Sequence, residues 1–144
     1  MSTSNKNQGE IAKAKGMVLA ERARLQQIRE TIKEKKAEML ELDLRHHKLE
    51  ATGDINKMMV VKQRSINLGK SITALAGTEM QCLRRLKSVE RYLETLNLKL
   101  EALRRESNNL SEKLAAEEST EVKARVQTLV SRLRMQIEAL EGGA

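Results

Sequence analysis

Residues 58–114 read MMVVKQRSINLGKSITALAGTEMQCLRRLKSVERYLETLNLKLEALRRESNNLSEKL. With Met58 at heptad position a, the d positions are Val61, Leu68, Leu75, Cys82, Val89, Leu96, Leu103 and Leu110, all apolar. The a positions are Met58, Ser65, Ile72, Glu79, Leu86, Leu93, Leu100, Ser107 and Leu114. An apolar seam kept at a period of 3.5 residues belongs to a helix that lies along another helix.

Upstream, a second heptad runs from Glu10 to Ala51. Its a positions are Ile11, Val18, Leu25, Ile32, Met39 and His46; its d positions are Ala14, Glu21, Ile28, Lys35, Leu42 and Leu49. Polar entries such as Glu21 and Lys35 weaken a seam but fix its register. Between the heptads stands Ala51-Thr52-Gly53-Asp54. Gly53 suits the left-handed residue that closes a helix, and Asp54 suits the next N-cap.

Folding the chain between Gly53 and Asp54 tests the two heptads against each other. Leu49 then meets Met58, Met39 meets Leu68, Ile32 meets Leu75, Leu25 meets Cys82, Val18 meets Val89, and Ile11 meets Leu96. Every layer pairs an a residue with a d residue, as antiparallel packing requires.

The second seam outlasts the first and needs another cover beyond Leu96. Ser119 or Thr120 can N-cap a third helix, with Glu121 placed against the helix dipole. Val126, Val130, Leu133, Ile137 and Leu140 form its seam. Reversal near Thr120 sets Leu110 on Val130, Leu103 on Ile137 and Leu100 on Leu140.

The fold expected is all-α, an elongated antiparallel coiled-coil hairpin. A long central helix (about 55–117) is covered by helix 1 (about 10–51) and a C-terminal helix (about 121–141). The two covering helices should abut near Asn97 to Lys99. Residues 1–9 read as a disordered polar tail, 10–141 as one helical rod and 142–144 as a flexible end. Gly77-Thr78-Glu79-Met80-Gln81 also carries a helix stop and a capping box. The seam stays in phase across it, so we expect a continuous but soft helix there.

Composition agrees. Proline is absent, Tyr92 is the only aromatic, and charged residues make up 33% of the chain. A globular core is normally anchored by large aromatic side chains; here only a thin aliphatic seam is available. Residues 1–10 hold no apolar core of a secretory leader. The longest apolar runs, such as Met17 to Ala20 and Met58 to Val61, are too short to span a bilayer. These features give the expectation of an intracellular, cytoplasmic protein with no membrane insertion. The lone Cys82 excludes an intramolecular disulfide and reads as a small buried thiol.

No arrangement for catalysis stands out, and no cofactor is expected. Gly69-Lys70-Ser71 lacks the earlier glycine of a phosphate-binding loop, because position 64 is Arg64, and no strand precedes it. His46 and His47 are adjacent, so they point to different sides of a helix and do not make a metal pair. The carboxylates face water along helix surfaces.

The net charge of +7 admits acidic partners. Residues 55–77 hold Lys57, Lys62, Arg64 and Lys70 and no acid. This Met-rich basic stretch beside the turn is the expected partner-binding segment, with Met58, Met59, Val60, Lys62, Arg64, Ile66 and Lys70 as candidates. Its bland alternative is a helix packed closely on helix 1 through small residues. Off-seam Leu19, Leu40, Leu44, Leu83 and Leu98 form a candidate stripe for a helical protein partner or a homo-oligomer. Arg84, Arg91 and Arg105 share heptad position f, flanked by Arg85 and Arg104. Interleaved glutamates and the missing aromatics leave nucleic-acid binding as the weaker reading.

The function expected is a non-enzymatic coiled-coil adaptor or structural subunit of a multiprotein assembly. On form alone, a helical chaperone or stalk accessory protein of a secretion or motor machine is the second assignment. A non-specific nucleic-acid-binding coiled coil is the third.

Overall fold

A computed structural model describes residues 9–142 of the chain. Among them the elements are α1 (Glu10–Thr52), α2 (Ile55–Ala116) and α3 (Thr120–Glu141), with no strand. The chain divides into two compact units. One spans Ala20–Leu86; the other holds the residues up to Leu19 and those from Lys87 onward.

The Ala20–Leu86 unit contains the hairpin turn. Gly53 adopts φ +70°, a left-handed conformation that side-chain-bearing residues rarely take. Its N–H donates to the Leu49 carbonyl at 3.0 Å, and the Thr52 hydroxyl donates to the same oxygen at 2.8 Å. The open carbonyls of α1 are thereby partly satisfied. Asp54 then caps α2: its Oδ1 accepts from the Lys57 N–H at 3.2 Å.

Antiparallel pairing follows. Within this unit every a and d residue of both helices is buried or half-buried. Polar contacts across the pair report the register. The Ser65 hydroxyl donates to Asp43 Oδ1 at 3.2 Å, Arg29 lies 3.9 Å from Glu79, and Arg85 lies 3.3 Å from Glu21. Each falls within one residue of the register that sets Leu49 on Met58. Most seam residues between Ile28 and Glu79 are only half-buried, because two helices alone cannot enclose a side chain from every side.

The other unit is better enclosed. Ile11, Ala14, Leu96, Leu100 and Leu140 form a buried cluster, with Leu93, Leu103 and Ile137 packed on it. Val130 and Leu133 are buried along α3. The start of α1 meets the end of α3 here, as the paired seams require. A Cβ on Gly9 would overlap the backbone of Leu140, Glu141 and Gly142, and Arg104 pairs with Glu141. Ser119 is the N-cap of α3, accepting from the Val122 N–H, and Gly142 closes the helix at φ +100°.

Two expected boundaries change in detail, and the expected continuity of α2 across Gly77 is met. Gly9 is buried against α3 and its carbonyl accepts from the Lys13 N–H, so it is not part of a loose tail; residues 1–8 lie outside the described residues. Gly142 is a structured cap, and residues 143–144 lie outside the description. The capping box after Gly77 is not used, since the Thr78 hydroxyl donates back to the Ala74 carbonyl inside an unbroken α2.

Gly77 is exposed, and a Cβ there would meet no atom within 4 Å. Its only effect on the helix is therefore its low propensity. Gly77→Ala should raise the unfolding free energy by about 0.5–1 kcal/mol in urea denaturation. An unchanged or lowered value would mean that α2 bends at this position.

Candidate interaction surface

The surface beside the turn is built by both helices. After Asp54 no acid occurs until Glu79, so the first turns of α2 carry cations alone. Lys62, Arg64 and Lys70 are exposed, as are Met59, Val60 and Ile66, whereas Met58 is half-buried at its seam position. A groove of about 520 Å³ lies between the end of α1 and the start of α2. Leu42, Leu49, Val60 and Val61 give it an apolar floor. Arg45, Lys48, Lys57 and Arg64 line it as well, and no acid does.

Lys57 is engaged with Asp54 at 3.8 Å. Arg45, Lys48 and Arg64 make no ion pair among the described residues. Arg45 and Arg64 stay close because both occupy heptad position g, and g residues flank the same side of an antiparallel pair; Lys48, at position c, lies three residues along α1 from Arg45.

The candidate residues do not share one face. Lys62 and Ile66 line a separate depression with Asp43, His46 and Ser65, which shares only Leu42 and Val61 with the first. Val60 and Arg64 face the basic groove. Lys70 and Met59 lie outside both linings. Close packing by small residues does not explain Gly69: a Cβ there would come no nearer than 3.7 Å to Met39 Cε, an ordinary contact.

Of the candidate stripe, Leu40 and Leu44 are exposed on α1 one turn apart, and Leu83 of α2 is half-buried. Leu19 and Leu98 are exposed in the other unit. Met80 is a further exposed apolar residue, two heptads along α2 from Ile66.

At the end of the Ala20–Leu86 unit away from the turn lies a polar cluster. Against the expectation that the carboxylates face water, Glu21 is only 8% exposed, because its seam position turns it toward α2. The fully buried Cys82 thiol lies 3.3 Å from Glu21 Oε2 and 3.4 Å from the Glu21 carbonyl, so one S–H is shared between two acceptors. Arg85 Nε donates to both carboxylate oxygens at 3.3 and 3.4 Å, and Arg24 adds a contact at 3.0 Å. The Cys82 hydrogen bond, with the Arg85 charge, holds the Glu21 carboxyl below its ordinary pKa although burial opposes this. Burial first, then Glu21, pushes the Cys82 thiol up, so the sulfur stays protonated and unreactive.

The arginine face is neutralised in part: both flanking arginines and one of the three at position f are paired. Arg85 is bound to Glu21, Arg104 to Glu141, and Arg105 to Glu101 at 2.6 Å. His46 and His47 approach one carboxylate, Glu50, at 3.3 and 3.7 Å. Among the described residues no group of three or more potential ligands is placed to hold a metal ion, and no helix is long and apolar enough to cross a membrane. Comparison of the chain with family models, curated proteins and solved structures returns no match.

Sequence reasoning missed Arg45 and Lys48 because it followed charge along the chain, where Glu41, Asp43 and Glu50 mask them. For Arg45 the signal was present in the register, which brings position g of α1 beside position g of α2; Lys48, at position c, joins it from the next turn of α1.

Because the folded pKa of Glu21 is depressed, its contribution to stability is present above the unfolded value and lost as pH falls through the folded one. The stability of the wild type relative to Glu21→Gln should therefore rise between about pH 3 and neutrality in urea melts. A difference that is flat with pH would contradict the cluster.

Proposed function

We propose that the chain is a non-enzymatic helical adaptor or structural subunit, joining a larger assembly by helix–helix pairing and by the basic surface beside its turn. The observation that carries this reading is the set of uncompensated cations, Arg45, Lys48 and Arg64, around an apolar floor. These cations are exposed, and surface apolar groups are normally scattered rather than gathered between like charges. A basic rim around an apolar groove instead has the composition of a contact surface, with charge giving orientation and the apolar floor giving affinity. Exposed Leu40 and Leu44 offer a second place for a helix to dock, from a partner or another copy.

The alternative as a nucleic-acid-binding coiled coil has less support, since three arginines of the f face and its flanks are tied to glutamates. Service as a chaperone or stalk accessory would use the same surfaces and differs only in the partner.

Cross-linking mass spectrometry of the tagged chain in cell extract tests the reading. A discrete protein should cross-link near residues 45–70. The triple charge reversal Lys62→Glu, Arg64→Glu and Lys70→Glu should weaken its capture at least about tenfold while leaving the helical melt unchanged. A chain that captures no protein, or that co-purifies with nucleic acid instead, would contradict it; a stable monomer in sedimentation would exclude self-association alone.

A further inference from the structure

We infer that the groove between α1 and α2 receives a short acidic peptide segment of another protein, anchored by one or two leucine-like side chains. The inference rests on the adaptor reading and specifies the ligand chemistry of one of its surfaces. A volume of about 520 Å³ is in the range that holds a few side chains. Leu42 is buried at its base, Leu49 and Val61 are half-buried, and Val60 is 65% exposed at its edge. Val60 occupies heptad position c, where a solvated coiled coil carries a polar residue. Its presence makes the floor apolar out to the rim.

The rim supplies the second half of the recognition. Arg45, Lys48 and Arg64 stand around the floor with no carboxylate lining it. An arginine fork takes a carboxylate through two parallel hydrogen bonds, and Arg45 and Arg64 come from different helices. A ligand that places an aliphatic group between them and carboxylates on either side satisfies both features together. Nucleic acid satisfies only the charge, because phosphate has no aliphatic group for the floor and Tyr92, the only aromatic of the chain, lies outside this unit. A lipid surface fits a broad amphipathic face with Trp or Phe, and the chain has neither residue.

The test uses the full chain and a fluorescein-labelled peptide, Glu-Asp-Glu-Leu-Leu-Glu-Asp-Glu, read by fluorescence anisotropy. Saturable binding is expected. Val60→Asp, and separately Arg45→Glu with Arg64→Glu, should weaken it at least tenfold without changing the circular dichroism melt. Lys70→Glu, outside the groove, should change it less than twofold. Peptides with both leucines replaced by serine, or with all acids replaced by amides, should not bind.

Absence of binding by the wild type, equal binding of the serine peptide, or groove variants that bind normally would overturn the proposal. So would tighter binding of phosphatidylserine vesicles or a single-stranded oligonucleotide than of the peptide. A self-association abolished by Val60→Asp would also overturn it, by assigning the groove to a second copy. If the peptide fails while an extract protein still cross-links to the chain, the groove assignment falls and the adaptor reading stands. If both fail, both fall.

Discussion

The reversal at Gly53 and Asp54 is the constraint on which the Ala20–Leu86 unit depends. A left-handed glycine ends α1 and an aspartate starts α2 at once, so the distance of each residue from the turn decides what it faces. A thin seam has little shape of its own; its Leu, Ile, Val and Met knobs are similar from layer to layer, interrupted by Glu21, Lys35, His46, Ser65 and Glu79. Slipping by one heptad would still pair apolar residues with apolar residues. The short turn makes such a slip costly, because one helix would have to lengthen its loop against its own capping bonds.

Glu21 adds a second lock. An acid at a d position weakens a seam unless something inside it accepts the charge. Cys82 and Arg85 do so in one register only, and Arg85 reaches in from the flank with half of its side chain in water. Glu21 and Cys82 are thus a matched pair: the small thiol leaves room for the carboxylate and donates to it. In the other unit, seam alone suffices. There Leu140 and Leu100 are buried in a common cluster with Ile11, and the end of α3 closes against Gly9.

The helices, their pairing and the second reversal were legible because they rest on periodicity and capping, which are local properties of sequence. Every assigned seam residue is buried or half-buried in its unit. Gly77 was ambiguous because a stop signal and an in-phase seam compete there; tertiary packing on both sides outweighs a helix penalty of about 1 kcal/mol. The basic groove was half legible. The acid-free run pointed to α2, but Arg45 and Lys48 belong to α1 in a stretch of mixed charge. Scanning charge along one strand of sequence hides what two helices assemble. The same scan grouped Lys62 with Arg64, which lie two residues apart and line different depressions, because neighbouring positions on a helix point about 100° apart.

The direction of α1 relative to α2 beside the turn is tested most directly by a distance between spin labels at Gln26 and Gln81, both exposed within one unit, in a Cys82→Ala background. Paired antiparallel helices put their axes about 8–10 Å apart, so a narrow distribution near 20–25 Å, including the label tethers, is the result predicted. A distance of roughly 80 Å, the span of an uninterrupted helix between those residues, would contradict the account.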